Sequence, residues 1–174
     1  MCSFKLATLN STMMLFFSLF VLALAAVSPS DGQELKLQRG DCPMFWFSFN
    51  GRCYKYFASR LTWGEAELLC VKEEANLVSI HSLEEHDFVK SLIQNFDPTR
   101  EWTWIGLTDL HREGGWIWSD GSEYKFSQWD IQQPNNANGG QHCGHINHGV
   151  NFKWNDYSCS HKSPFVCVHR KVCP

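Results

Sequence analysis

Between residues 132 and 159 the chain gathers side chains whose oxygens suit a hard cation. Gln132-Gln133-Pro134-Asn135-Asn136-Ala137-Asn138-Gly139-Gly140-Gln141-His142-Cys143 is followed by Lys153-Trp154-Asn155-Asp156-Tyr157-Ser158-Cys159. Gln133, Asn135, Gln141 and Asn155 offer amide oxygens, and Asp156 offers the one carboxylate of this set. Such oxygens converging on one point are what calcium requires, six to eight of them at roughly 2.3–2.6 Å. An amide can also give its oxygen to a metal and its N–H to a second ligand at once. Pro134 and the glycine pair exclude regular structure. A polar loop of this length in a compact domain is usually a binding loop.

Other residues nearby invite sharper readings. His142, His145 and His148 suggest a zinc or pH-sensitive site. In a strand, however, His142 and His148 share a face while His145 points away, which works against three-histidine ligation. Trp129, just before the loop, is the tryptophan that could touch a ligand; the other tryptophans read as core. No nucleophile elbow, zinc-protease motif or acid–base pair of carboxylates is present, so the chain does not read as an enzyme.

The elements that must position the loop are legible in order. Cys42 to Phe57 reads as a hairpin of aromatic strand residues around the turn dipeptide Asn50-Gly51, with Cys42 and Cys53 facing each other and expected to bond. Thr62-Trp63-Gly64-Glu65 is a capping box, opening a helix that carries Ala66, Leu69 and Cys70 and ends near Glu74. Asn76 to Ile80 reads as a short strand. Ser82-Leu83-Glu84-Glu85 is a second capping box; its helix buries Phe88, Val89, Leu92 and Ile93 and stops before Pro98. Glu84 and Glu85 read as solvated first-turn acids favoured by the helix dipole. Trp102 to Leu107 is a buried strand in which Gly106 implies close backbone approach. Trp116 to Gly121 is a strand entering a turn, and short strands recur around Gly144–Ile146, Phe152–Trp154 and Phe165–Val168. Early helices, short strands and a long loop predict a mixed α+β domain.

Composition sets the outer limits. The chain has 174 residues, enough for one domain. Aromatics reach 14% with 8 tryptophans, which favours a packed core over disorder. Net charge is −3 and the basic residues do not cluster, so nucleic acid is excluded as a partner. Residues 1–26 read as a secretory signal: Lys5, then the apolar run from Met13 to Val27, short for a membrane span, with small residues at Ala23, Ala25 and Ala26. Residues 27–41 read as a short flexible leader, 42–170 as the domain, and 171–174 as a tail. The mature chain is expected to be extracellular, without a stable membrane span. Asn10-Ser11-Thr12 is the sole glycosylation pattern and falls in the signal. Of eight cysteines, removal of Cys2 with the signal leaves seven. In an oxidising compartment an odd count leaves at least one free or linked to another chain.

From Cys42 to Arg170 the chain resembles the C-type lectin-like domain. The resemblance is carried by the Cys42–Cys53 hairpin, Cys70, Trp104-Ile105-Gly106-Leu107, Trp116 to Gly121, Gln133-Pro134-Asn135, Cys143, Trp154-Asn155-Asp156, Cys159 and Phe165-Val166-Cys167. It implies two helices, short antiparallel β-sheets, a long irregular binding loop and disulfide staples Cys42–Cys53, Cys70–Cys167 and Cys143–Cys159. Cys173 is then left over, for a disulfide-linked homodimer or a small-thiol adduct. The set looks like a small secreted single-domain lectin of the fish plasma and venom kind. In sugar-binding members one calcium is held by residues matching Gln133, Asn135, Gln141, Asn155 and Asp156, with a cis proline between the first two, and the sugar's paired hydroxyls complete the shell. Cis is readily adopted only before proline.

This chain departs from that pattern. Gln133, Asn135 and Gln141 stand where relatives carry glutamate, aspartate and another acid. Ligand charge moves calcium affinity over several decades, so one carboxylate implies weak binding, on the order of 10⁻³ M or worse. The mixed Gln-Pro-Asn motif leaves mannose-type and galactose-type sugars both open. A second calcium site would need acids near Asn136 and His142 and is not expected. The resemblance therefore implies a weakly calcium-dependent glycan binder. The alternative it carries is a calcium-independent module that binds a protein or a surface, as venom subunits do, or ice.

Overall fold

The computed structural model describes residues 36–170. The signal and tail assignments, and Cys173, lie outside the described residues. The Asn50-Gly51 turn forms as expected: β1 (Phe47–Phe49) pairs antiparallel with β2 (Arg52–Leu61), Phe49 opposite Arg52. Both turn residues have positive φ (44° and 74°), the conformation such a two-residue hairpin needs. Residues 36–41 do not behave as a loose leader. The Ser48 N–H donates to the Gln38 carbonyl at 2.7 Å, and Leu37 packs on the core.

Helix α1 (Trp63–Lys72) carries the full capping box, with Thr62 and Glu65 bonding each other's backbone N–H. It buries Trp63, Ala66 and Cys70, while Leu69 is half-buried. The strand expected over residues 76–80 is only β3 (Asn76–Leu77). Helix α2 (Leu83–Phe96) buries Phe88, Val89, Leu92 and Ile93 as the spacing predicts. Its cap is half a box. Ser82 accepts from the Glu85 N–H, but the Glu85 side chain turns inward. It accepts from Arg52 Nη1 at 2.5 Å, from the Tyr54 hydroxyl and from the His81 N–H at 2.6 Å, and is only 6% exposed. Glu85 is thus a buried ion-pair partner, not a solvated cap. The cationic partner on β2 is 33 residues away in sequence, where helix logic does not reach.

The remaining strands are β4 (Thr103–Thr108), β5 (Ile117–Trp118), β6 (Cys143–His148), β7 (Lys153–Tyr157) and β8 (Ser163–Arg170). They join one eight-stranded sheet in the order β1-β2-β8-β4-β6-β7, with β3 on β8 and β5 on β4. The pairing is antiparallel except for a parallel contact of β4 with β8, Trp104 beside Phe165. Three disulfides, Cys42–Cys53, Cys70–Cys167 and Cys143–Cys159, staple the domain. The first closes the opening hairpin, the second ties α1 to β8, and the third ties the start of β6 to the segment after β7. Closures of this kind are each worth about 2–4 kcal/mol. The core lies between α2 and the sheet, with Trp118, Trp154, Phe88, Ile105 and Leu107 fully buried or nearly so.

Two tests follow from this packing. A Cβ on Gly106 would stand 2.6 Å from the Leu77 carbonyl oxygen, so Gly106→Ala should lower the unfolding free energy by about 1–3 kcal/mol in denaturant titrations. His86, 2% exposed, accepts the Trp154 indole N–H at 3.1 Å, and burial holds its pKa down to about 4. The unfolded chain then binds the extra proton between pH 6.5 and 4, so stability falls as pH drops through that window. The loss should level off below pH 4 at about 3 kcal/mol from this group. Equilibrium unfolding at stepped pH measures it.

Candidate functional site

The site is built where the loop meets β7. The Gln133–Pro134 bond is cis. Asp156 is fully buried on β7, opposite Gly144 of β6. Its carboxylate accepts the Asn135 N–H (3.0 and 3.1 Å to the two oxygens) and the Asn136 N–H (2.6 Å). These charge-assisted bonds tie the loop to the sheet. The Ala137 N–H donates both to Asn135 Oδ1 (2.9 Å) and to Gln141 Oε1 (3.0 Å), so those two oxygens are neighbours. Asn155 is 5% exposed, precedes Asp156 and lies opposite His145. The structure therefore brings Asn135, Gln141 and Asp156 together directly, with Asn155 and Gln133 joined to them through the backbone.

One atom of this set is conspicuous. Gln133 Oε1 is buried and accepts no hydrogen bond. A buried carbonyl oxygen left without a donor costs roughly 1–3 kcal/mol, unless a ligand supplies what is missing. In kind, these oxygens are ones that an oxygen-seeking cation takes. The weakness of the set is charge: of the five expected residues, Asp156 alone is anionic, and both of its oxygens already hold backbone N–H groups.

Trp129 is half-buried against Trp116 (ring centroids 4.7 Å apart) and Trp154 (5.9 Å), and its indole N–H donates to the Tyr124 hydroxyl at 2.8 Å. A backbone bridge to Trp154 puts it next to the Asn155 segment. The three histidines do not gather. His148 Nδ1 pairs with Asp130 at 2.9 Å. His145 is fully buried, stacked between Trp104 (4.3 Å) and Tyr157 (5.1 Å), and both of its ring nitrogens lack partners. Burial, with His161 and His148 nearby, holds its pKa well below the usual value. His142 Nδ1 instead meets Asp109 at 3.0 Å and Glu113 at 3.6 Å.

Sequence reasoning missed this last group. Asp109, Glu113 and His142 offer three ligand atoms within 4.8 Å of one another, and Glu113 also accepts from Asn136 Nδ2 at 2.6 Å. The acids sought beside Asn136 and His142 are supplied by a segment far back in the chain, after β4. The pairing of β4 with β6, Thr108 opposite Cys143, brings them there. The only signal in the sequence was the pair of acids four residues apart.

Comparison with known proteins agrees with this architecture. Residues 59–169 match the lectin C-type domain family. A lactose-binding lectin, l-2, of Anguilla japonica is 39% identical over 176 residues, covering 99% of each chain. Among solved structures, the C-type lectin CEL-I from Cucumaria echinata superposes with a TM-score of 0.71 at 32% identity, over 74% of this chain and 96% of that one. A herring type II antifreeze protein superposes with a TM-score of 0.70 at 37% identity, over 75% and 99%. The chain belongs to the C-type lectin domain family.

The clamp on the loop can be tested directly. Asp156→Ala should release the Asn135 and Asn136 amides, raising their hydrogen-exchange rates at least tenfold and costing about 2–4 kcal/mol of stability. Asp156→Asn, which keeps an acceptor, should cost less.

Proposed function

We propose that this protein is a secreted, non-enzymatic glycan-binding protein, with a site made of Gln133, Asn135, Gln141, Asn155 and Asp156 and a weakly held calcium ion. The observation that carries the reading is a buried carboxylate that holds the loop at the Asn135 and Asn136 N–H groups, with the Asn135 and Gln141 side-chain oxygens beside each other and Gln133 Oε1 left without a donor. The five residues would hold the ion. When bound, calcium supplies coordination positions for two neighbouring sugar hydroxyls. The amides orient the sugar, since each can accept through oxygen and donate through nitrogen. Trp129 is the ring placed to meet an apolar sugar face. The lactose named for the Anguilla japonica relative makes galactose-type sugars the first ones to try. Secretion rests on the apolar segment at the start of the chain and on lectin relatives. No helix among the described residues is long and apolar enough to cross a membrane.

A second reading has one observation behind it: antifreeze proteins stand among the similar structures at the same level as lectins. It places a metal-free surface, facing ice or another protein, where the first reading places sugar. The six cysteines among the described residues are all used in the three staples, with none left for further bridges near the loop.

Glycan-array binding with millimolar calcium and with chelator separates the two. The proposal expects binding that weakens at least tenfold in chelator, with calcium half-saturating on the order of 10⁻³ M. Asn155→Ala should abolish it without unfolding the chain. Sugar binding indifferent to chelator would overturn the metal's role. No sugar binding, together with inhibition of ice recrystallisation, would favour the second reading.

A further inference from the structure

A cavity of about 390 Å³ lies where β2, β3, β8 and the turn after β5 meet, with Arg52, Glu74, Asn76, Asp120 and His169 around it. That volume is within the roughly 300–1,000 Å³ usual for small-molecule sites. None of the five loop-site residues lines it. We propose that this cavity takes the side chain of a lysine presented by another protein.

Charge is the first argument. The Arg52 guanidinium donates to Glu85 Oε1 at 2.5 Å and has Asp120 Oδ2 at 3.7 Å. One cation beside two carboxylates leaves this wall negative. Burial opposes the Asp120 charge, yet hydrogen bonds from Ser122 and Ser79 hold its pKa below the usual value. Glu74 adds a third carboxylate, which makes no ion pair among the described residues. It stands just past Glu73, the C-cap of α1, with φ 58°. Helices commonly place glycine at that left-handed position, where a side chain costs backbone strain. The strained residue here puts a carboxylate on the cavity wall.

The second argument is the arrangement of acceptors. Asn76 Nδ2 donates to Glu67 at 2.6 Å, which leaves Oδ1 as the accepting end. His169 meets Trp46 edge-on at 5.6 Å, and among the described residues neither of its ring nitrogens is hydrogen-bonded. The three N–H donors of an ammonium can thus reach acceptors on separate residues. Ala75 and Val168 give an apolar wall for its aliphatic stem. Among the described residues, the atoms of Glu74, Asp120 and His169 do not gather within 4.8 Å as a set, too far apart for one bare metal ion. A guanidinium would want a free carboxylate fork, but Ser79 and Ser122 already occupy the two Asp120 oxygens. Free lysine brings a carboxylate that would face these acids, whereas a lysine within a chain does not. The walls are preformed, which lowers the cost of binding. Ala75 N–H bonds the carbonyl of Cys70, itself joined to Cys167, and Cys53, joined to Cys42, lies opposite His169.

Calorimetry on the full chain with Nα-acetyl-lysine methylamide tests this. Binding is expected with Kd on the order of 10⁻³ M, unchanged by calcium or chelator. The Nε-acetylated analogue should bind at least tenfold more weakly. Glu74→Gly, which relieves the strained φ, should weaken binding about fivefold while thermal stability holds or rises. Glu74→Lys should abolish it. No binding, equal binding of the acetylated analogue, or affinity that both variants retain would overturn the proposal. So would displacement by millimolar calcium, or a preference for cadaverine, a free diamine, over the lysine amide.

Discussion

The carboxylate of Asp156 is the point on which the loop and the sheet depend together. It is fully buried in β7, and a buried charge is tolerated only when hydrogen-bonded. Its partners are not side chains of its own strand but the backbone N–H groups of Asn135 and Asn136. The loop cannot leave without orphaning the charge, and the charge cannot remain inside without the loop. A segment that lacks a regular backbone ladder over most of its length thereby acquires a fixed conformation. The Cys143–Cys159 bond holds the same two segments covalently.

Beneath this clamp lies an unusually aromatic floor. Trp154, just ahead of the two ligand candidates on β7, is fully buried and meets Trp118, Trp129, Phe126 and His86. Stiff rings around one strand leave Asn155 and Asp156 little freedom. In the proposed site that rigidity matters, because the donor set there is poor in charge. A cation held mainly by amides gains little from Coulomb attraction, so preformed geometry has to supply more of its binding free energy. Amides also present both a donor and an acceptor to a hydroxyl, which suits recognition of neutral sugars.

Much of this was legible in the sequence, for local reasons. The Asn50-Gly51 turn, the Thr62–Glu65 box, the spacing of Phe88 to Ile93 and the close approach at Gly106 are rules of neighbouring residues, and each holds. The Cys42–Cys53 bond follows from the hairpin, while the cis Gln133–Pro134 bond and the other two disulfides came from resemblance, and the structure has them all. What escaped depends on pairing across the sheet. Glu85 reads as a surface cap until β2 brings Arg52 and Tyr54 against it. Asp109 and Glu113 are distant from His142 in sequence and meet it because β4 pairs with β6. His142 itself lies just ahead of β6, and the β6–β7 register shifts between His145 and His148. Residues 36–41 carry no periodic signal, yet Leu37 packs on the core and the Gln38 carbonyl bonds β1.

The central claim is that Gln133, Asn135, Gln141 and Asn155 respond as one unit organised by Asp156. Side-chain amide signals of these four residues, followed by nitrogen-15 NMR during titration with calcium and then with lactose or mannose, address it directly. The account predicts that all four shift together, with one millimolar-range midpoint for the ion and further shifts on adding sugar. Shifts confined to other residues, or four signals that stay still at saturating ion and sugar, would contradict it.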